Sequence, residues 1–146
     1  MKKKDFENKV FTTNSSRETQ KLGQSFAKVL EKGDTVALYG DLGSGKTTFV
    51  QGLAEGLGVK EKIISPTFII IRSYPSKNFY HIDLYRIEKN QKIESLGLAE
   101  ILDNPLNIVA IEWAERIENL LPKKIIKIKF SHEDNNVRKI FFSLGL

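Results

Sequence analysis

The sequence contains no cysteine, which excludes disulfide bonds and thiolate metal sites. It also lacks any apolar run near the roughly 18 residues that suggest a membrane-spanning helix. The first ten residues, MKKKDFENKV, are charged and lack the apolar stretch of a secretory signal peptide. These absences lead us to expect a cytoplasmic protein that has no membrane association.

The length and composition are those of one globular domain. The chain has 146 residues, of which 40% are hydrophobic, and this is enough for one core. We therefore expect a single domain over residues 1–146 that is monomeric when isolated. The net charge of +5 favours contact with anions such as nucleotides, nucleic acid or an acidic protein surface, although it is also typical of ordinary solubility.

Apolar periodicity predicts strands that alternate with helices. Short β-prone runs predict strands over residues 9–13, 35–39, 107–111, 124–130 and 137–143. Helical spacing predicts helices over 16–31, from the glycine-rich loop to Gly58, over 91–102 and over 115–121. An antiparallel hairpin is predicted for 68–85, and a capping box at Ser15 and Glu18 is predicted to begin the first helix. This alternation indicates an α/β class, with three layers and a largely parallel central sheet.

A glycine-rich motif links the second predicted strand to the next helix. Residues 40–47, GDLGSGKT, match G-x-x-x-x-G-K followed by Ser or Thr at every fixed position. Glycines let the backbone curl so that successive N–H groups point at one phosphate, and the helix start adds unsatisfied amides. A chance match is rare, on the order of 0.5% per chain. The motif therefore predicts a site for a magnesium nucleotide.

The residues of this loop have distinct predicted roles. The loop backbone at Gly43, Ser44 and Gly45 would hold the phosphates, and Lys46 would place its charge between the β- and γ-phosphates. Thr47 offers its hydroxyl to Mg²⁺, and Thr48 is placed to reach the α-phosphate. We therefore expect ATP or ADP and Mg²⁺ as the ligands.

A phosphate loop also needs an acid near the metal, usually at the end of a neighbouring buried strand. Glu112 ends an apolar run, and a buried strand delivers such an acid to the ligand crevice. Asp83 is the second candidate, with a surface ion pair as its alternative role. Spacing favours Glu112 as the acid closer to the metal, but both acids are candidates for contact with metal or water.

Other polar and aromatic residues leave their roles open. Thr67, in the segment 65–67, is placed either to reach the γ-phosphate as part of a switch or to form a simple turn with proline. Trp113 is typical of a core or interface residue rather than a catalytic one. His81 and His132 have no partner spacing for metal or nucleophilic chemistry, and we interpret them as structural.

Two lysines alternate with apolar residues in the predicted strand over residues 124–130. Lys127 and Lys129 would face outward while their neighbours are buried. A solvated face is one interpretation, and an anionic partner such as RNA is the other.

These residues together resemble the TsaE (YjeE) family. The resemblance spans nearly the whole chain and rests on four segments: residues 40–48 (GDLGSGKTT), 65–68 (SPTF), 81–86 (HIDLYR) and 111–113 (IEW). It implies a compact P-loop α/β domain that binds ATP or ADP with magnesium. It also implies that Thr47 and Glu112 are the metal-side residues, that Asp83 is an acid near the nucleotide, and that Ser16 approaches the base.

The same resemblance implies a pathway and partners. Family members act with TsaD and TsaB to modify adenosine 37 of tRNA to threonylcarbamoyladenosine, and ATP hydrolysis is expected to reset the synthase between turnovers. Any contact with tRNA would come through this complex. The basic strands near the C-terminus are not part of the family's motifs, so RNA contact there is a separate hypothesis.

ATP hydrolysis coupled to a conformational change is the mechanism that these residues favour, with Lys46, Asp83 and Glu112 as the catalytic candidates. The motifs identify no arginine finger; Arg72, Arg86 and Arg116 are candidates within the chain, and a partner is the alternative source. We therefore expect slow turnover by the isolated chain and stimulation by its partners. A small-molecule kinase, a GTPase-like switch and a module that only binds nucleotide are the alternatives.

Overall fold

The structure is a computed structural model that describes residues 1–61, 70–87, 97–134 and 136–145. Within these residues, seven strands form one sheet in the order β1-β7-β6-β2-β5-β4-β3. The strands are β1 (Val10–Thr13), β2 (Thr35–Tyr39), β3 (Ile71–Tyr74), β4 (Phe79–Asp83), β5 (Ile108–Glu112), β6 (Ile126–His132) and β7 (Arg138–Ser143). The α-helices are α1 (Ser16–Ala27), α2 (Lys46–Leu57) and α3 (Leu98–Asp103).

The centre of the sheet is parallel and its edges are antiparallel. Strand β2 pairs in parallel with β5 and β6, and β5 pairs in parallel with β4. Strands β1 and β3 close the two edges by antiparallel pairing with β7 and β4. The predicted α/β fold with a largely parallel centre and an antiparallel hairpin is confirmed, although residues 68 and 69 of the predicted hairpin lie outside the described residues.

One face of the sheet is covered by α1 and α2. Alternate strand residues such as Leu38 and Ile128 point to this face and are fully buried. Phenylalanine rings join the layers: the Phe26 ring on α1 lies 4.9 Å from that of Phe142 on β7. The Phe49 ring on α2 likewise lies 5.5 Å from that of Phe130 on β6, and this contact holds α2, and therefore the loop before it, against the sheet.

The two helices on this face approach each other at a glycine. A Cβ atom added to Gly52 of α2 would overlap the backbone carbonyl oxygen of Gln20 on α1. This close approach leaves the start of α1 beside the start of α2, which matters for the site described below.

The opposite face carries the third layer. Ala37, Val109 and Ile111 are buried there against Leu98 of α3 and against Ile117. Among the described residues, no helix has both the length and the apolar character needed to cross a membrane.

Several predicted boundaries need correction. Helix α1 ends at Ala27 rather than residue 31, because the amides of residues 28–30 bond three residues back in tighter turns. The segment predicted as a helix over 115–121 is a 3₁₀-helix, Ala114–Leu120, interrupted at Ile117 where φ is −132°. Helix α3 begins at Leu98, and residues 91–96 of that prediction lie outside the described residues.

The start of α1 follows its prediction in part. The Ser15 hydroxyl accepts a hydrogen bond from the Glu18 amide at 3.1 Å, as a capping box requires. The Glu18 carboxylate, however, accepts from the amide of Asn14 at 3.2 Å rather than from that of Ser15. The cap still satisfies two amides and fixes where α1 begins.

Candidate functional site

A tight loop connects β2 to α2 at the C-terminal edge of the parallel strands. At Gly40 the backbone has a φ of +147°, and a Cβ there would lie 2.7 Å from the Ser44 hydroxyl oxygen and 2.8 Å from the Phe130 carbonyl oxygen. Only glycine therefore fits where the chain leaves β2 beside β6. Helix α2 then begins at Lys46, with Gly45 as its N-cap residue in a left-handed conformation.

The loop presents polar groups suited to an anion. The first amides of a helix have no partner within the helix and carry partial positive charge. The Ser44 hydroxyl oxygen is buried and has no hydrogen-bond partner among the residues that the structure describes. Because buried polar atoms are normally hydrogen-bonded, this orphaned group fits a loop that binds a phosphate.

Lys46 is held at the back of the loop. Its side chain is buried, and its ammonium group donates to the Gly40 carbonyl. The same nitrogen lies 3.6 Å from the centre of the Trp113 ring, within the range of a cation–π contact. Burial lowers the pKa of Lys46, and the negative charge of Glu112 partly opposes this shift.

Thr47 and Glu112 form the polar centre of the site. The Thr47 hydroxyl lies 2.9 Å and 3.0 Å from the two carboxylate oxygens of Glu112. Glu112 is only 3% exposed, and its Oε2 also lies 2.6 Å from Nε2 of His81, which is fully buried. A helix start, a strand end and a neighbouring strand are thereby connected through one carboxylate.

Asp83 ends the strand next to that of Glu112. The two residues are in register on the parallel strands β4 and β5, so their side chains leave the same face at the same edge. Asp83 is half-buried, and burial raises the pKa of its carboxyl group, while a hydrogen bond from the Tyr85 amide at 3.0 Å opposes the shift. Of the two predicted acids, Glu112 is the one that contacts Thr47.

A cavity of about 470 Å³ opens over the loop and these two strand ends. Among the described residues, the predicted site residues that line it are Ser16, Gly43, Ser44, Gly45, Lys46, Thr47, Thr48, Asp83 and Glu112. Thr67 lies outside the described residues. The cavity thus gathers side chains and loop segments from α1, α2, β4 and β5, which are far apart in sequence.

Several other residues of the site, among them Arg138, Ser15 and Thr19, were not predicted from sequence. Arg138, at the start of β7, lines the cavity and donates to the Gly43 carbonyl oxygen at 3.0 Å. Ser15 and Thr19 line it from the first turn of α1. Of the arginines considered in sequence, Arg86 lines the cavity, whereas Arg116 donates to the Ile87 carbonyl oxygen at 2.8 Å.

The donor set fits magnesium in a phosphate site. Thr47 and Glu112 supply hard oxygen atoms, and Mg²⁺ bound beside phosphates uses only one or two protein ligands. Among the residues described, no group of three or more His, Cys, Asp or Glu side chains is gathered as in a dedicated metal cage. The protein's share of the coordination would therefore be small.

A glycine-rich loop between a buried parallel strand and a helix, with acids at neighbouring strand ends, defines the three-layer P-loop NTPase fold. Residues 13–140 match the sequence profile of the family described as "Threonylcarbamoyl adenosine biosynthesis protein TsaE". The chain therefore belongs to the TsaE family, which confirms the resemblance seen in its motifs.

Individual relatives agree with this assignment. The chain is 42% identical over 132 residues to the "tRNA threonylcarbamoyladenosine biosynthesis protein TsaE" of Rickettsia conorii, covering 88% of this chain and 74% of the relative. It is 38% identical over 133 residues to the protein of the same name from Bacillus subtilis, covering 90% and 82%. The crystal structure of Bacillus subtilis YdiB superposes with a TM-score of 0.76 at 34% identity, covering 94% of this chain and 86% of that chain.

Proposed function

We propose that this chain binds ATP or ADP with Mg²⁺, hydrolyses ATP, and acts in the formation of threonylcarbamoyladenosine at position 37 of tRNA. The hydrogen-bonded contact between Thr47 and Glu112, at the start of the helix after the glycine-rich loop, carries the nucleotide part of this proposal. The names of the family and its relatives support the pathway.

Phosphate binding is the first task of the chain's own residues. The loop amides and the helix start attract the anion, and the buried Ser44 hydroxyl gains a partner. Lys46 is already beside the loop, on the Gly40 carbonyl and the Trp113 ring, and a phosphate oxygen offers its charge a stronger partner than either.

Thr47 and Glu112 would hold the metal ion. When bound, Mg²⁺ supplies positive charge that neutralises the phosphate oxygens. Glu112 is preformed for this contact, because its carboxylate is buried and oriented by two donors. Asp83, in register beside it, faces the same cavity and remains for a second role.

We propose that this second role of Asp83 is to accept a proton from the attacking water. In hydrolysis, the water oxygen forms a bond to the γ-phosphorus, the bond from that phosphorus to the β,γ-bridging oxygen breaks, and ADP and phosphate leave. The raised pKa of Asp83 brings its carboxylate closer to the range in which it can accept the water proton. Lys46 stabilises charge on the phosphate oxygens as it develops.

The biological role is a partner-dependent one. Hydrolysis would reset the TsaD–TsaB synthase between turnovers, with tRNA contact made through that complex. We propose slow turnover by the isolated chain, acting as one cytoplasmic, monomeric domain. Arg138 reaches the loop, but its guanidinium donates to the carbonyl oxygens of Gly43 and Asp134. A transition-state arginine supplied by a partner would then raise the rate.

Phosphate release with no acceptor present tests the nucleotide chemistry. We expect Mg²⁺-dependent release from ATP, weaker release from GTP, and loss of release in Lys46→Ala and Thr47→Ala. Lys28→Ala, at an exposed lysine just after α1, is the control and should match the unaltered chain. Failure to bind nucleotide, or transfer of phosphate only to a small added acceptor, would remove the ATPase assignment.

A further inference from the structure

We propose that His81 is a positioning residue that fixes the orientation of the Glu112 carboxylate and thereby sets how strongly Mg²⁺ strengthens nucleotide binding. This inference rests on the proposed function, in which Glu112 is a metal-side residue. The sequence alone predicts a structural role for His81, because no local spacing indicates a partner that lies 31 positions away on another strand.

The sheet brings the two side chains together. His81 on β4 is in register with Ala110 on β5, so Glu112, two residues further along β5, leaves the same face. Both side chains are buried beneath α2, with exposures of 0% for His81 and 3% for Glu112. Nε2 of His81 lies 2.6 Å from Oε2 of Glu112.

The direction of this hydrogen bond follows from the chemistry of the partner. An ionised carboxylate only accepts hydrogen bonds, so Nε2 carries the proton and donates it. Nδ1 of His81 is buried and has no hydrogen-bond partner in the part of the chain that the structure describes. The specific polar contact of this imidazole there is therefore the one with Glu112.

His81 distinguishes between the two carboxylate oxygens of Glu112, whereas Thr47 does not. The Thr47 hydroxyl lies almost equally far from the two carboxylate oxygens, at 2.9 Å and 3.0 Å, so it does not distinguish between them. His81 contacts Oε2 alone. The carboxylate is thereby fixed in one orientation, in which Oε2 is committed to the imidazole and Oε1 is not.

Losing this donor has two separable consequences. A buried carboxylate with fewer hydrogen bonds lowers stability in any state of the protein. A carboxylate free to rotate weakens metal binding in particular, and loss of such an orienting partner typically reduces metal affinity about 10- to 100-fold. Only the second effect requires Mg²⁺, so the two roles can be measured apart.

The test is calorimetric titration of ADP into the full chain, with excess Mg²⁺ and with EDTA. The ratio of the two ADP affinities is the magnesium gain. In EDTA, His81→Leu should bind ADP with the same affinity as the unaltered chain. Its magnesium gain should be smaller by about 10-fold or more. His81→Gln, whose amide nitrogen can replace Nε2 as a donor, should retain most of it.

Two further outcomes decide the inference. If His81→Leu fails to fold, His81→Asn replaces it, because its shorter amide cannot reach Glu112, and it should lose the gain that His81→Gln keeps. An unchanged gain in the variant without the donor, or equal loss with Mg²⁺ and with EDTA, would assign His81 a merely structural role. If the unaltered chain shows no magnesium gain, the proposed metal role of Glu112 fails, and this inference fails with it.

Discussion

The ammonium nitrogen of Lys46 lies 3.6 Å from the centre of the Trp113 ring, at the back of the glycine-rich loop. Trp113 is the only tryptophan in the sequence, and it lines the cavity beside Tyr85, whose ring centre is 5.1 Å from its own. The sequence alone favours a core or interface role for this residue. The structure packs it against the core on the α3 side of the sheet and also brings it into contact with Lys46.

Nucleotide binding should therefore change the fluorescence of Trp113. A phosphate that attracts Lys46 removes a charge from the indole ring, and the whole tryptophan signal of the chain comes from this one site. We expect a saturable change in emission when ADP is titrated with Mg²⁺. Lys46→Ala should have a different starting emission and a much smaller change. Calorimetric binding without any change in emission would contradict the link between Lys46 and Trp113.

The two acids should fail in different ways when they are neutralised. Glu112→Gln weakens the contact with Mg²⁺, so it should reduce the magnesium gain in ADP affinity. Asp83→Asn should leave that gain near its original value and lower kcat about 10²- to 10⁴-fold, the range for loss of a general base. Titration and single-turnover hydrolysis measure the two effects. The reverse pattern would exchange the roles assigned to Asp83 and Glu112.

Asp83 should also make stability depend on pH. Burial raises the pKa of its carboxyl group above 3.8, so the folded chain binds this proton more tightly than the unfolded chain does. Ionisation of Asp83 therefore lowers the free energy of unfolding as pH rises from about 3.8 through the folded pKa, and the loss persists above it.

Asp83→Asn removes this loss of stability, because asparagine does not ionise. Without nucleotide, its Tm should exceed that of the unaltered chain at pH 7, and the difference should shrink toward zero as pH falls below about 4. Thermal unfolding across this pH range is the measurement. Asp103→Asn, which removes an exposed carboxylate, is the control. The compared quantity is the Tm of Asp83→Asn minus the Tm of the unaltered chain. A smaller difference at pH 7 than at pH 4 would contradict the sign of the effect.

The alternation in β6 supports a test of the RNA hypothesis. Ile126, Ile128 and Phe130 are buried, while Lys129 is exposed and Lys127 is partly exposed. Replacing both lysines with glutamate should weaken tRNA binding at low salt and reduce the slope of log affinity against log salt by about 2. Fluorescence anisotropy with labelled tRNA measures both quantities.

The control for this experiment changes the net charge equally on another surface. Lys21 on α1 and Lys28 just after it are exposed, and their replacement by glutamate should leave tRNA affinity closer to the original value. Equal loss in both pairs would indicate a general effect of charge. Unchanged affinity after replacement of Lys127 and Lys129 would remove the hypothesis of RNA contact on β6.

Local sequence patterns predicted most of the fold and the centre of the site. The strand Thr35–Tyr39, the loop from Gly40 and the end of α2 at Gly58 each depend on short-range features: a buried β-branched run, fixed glycines and a helix stop. Glu112 was predicted for the same reason, because an acid at the end of an apolar run marks the edge of a parallel sheet.

What was missed depends on contacts between distant parts of the chain. Arg138 reaches the Gly43 carbonyl because β7 returns beside β6, 95 positions after the loop. His81 contacts Glu112 through the register of β4 and β5, which no local pattern specifies. The end of α1 was predicted too far along the chain, since Val29 and Leu30 pack against the core from tighter turns that follow the helix.

ATP hydrolysis by the chain alone, and then with the TsaB–TsaD pair that we propose as its partner, is the most direct test of the proposed function. Phosphate release should be slow for the isolated chain, rise strongly when the pair is added, and be abolished by Lys46→Ala in both conditions. Fast turnover alone with no stimulation by the pair would contradict the account, because the P-loop site would then work without the partners that the proposed role requires.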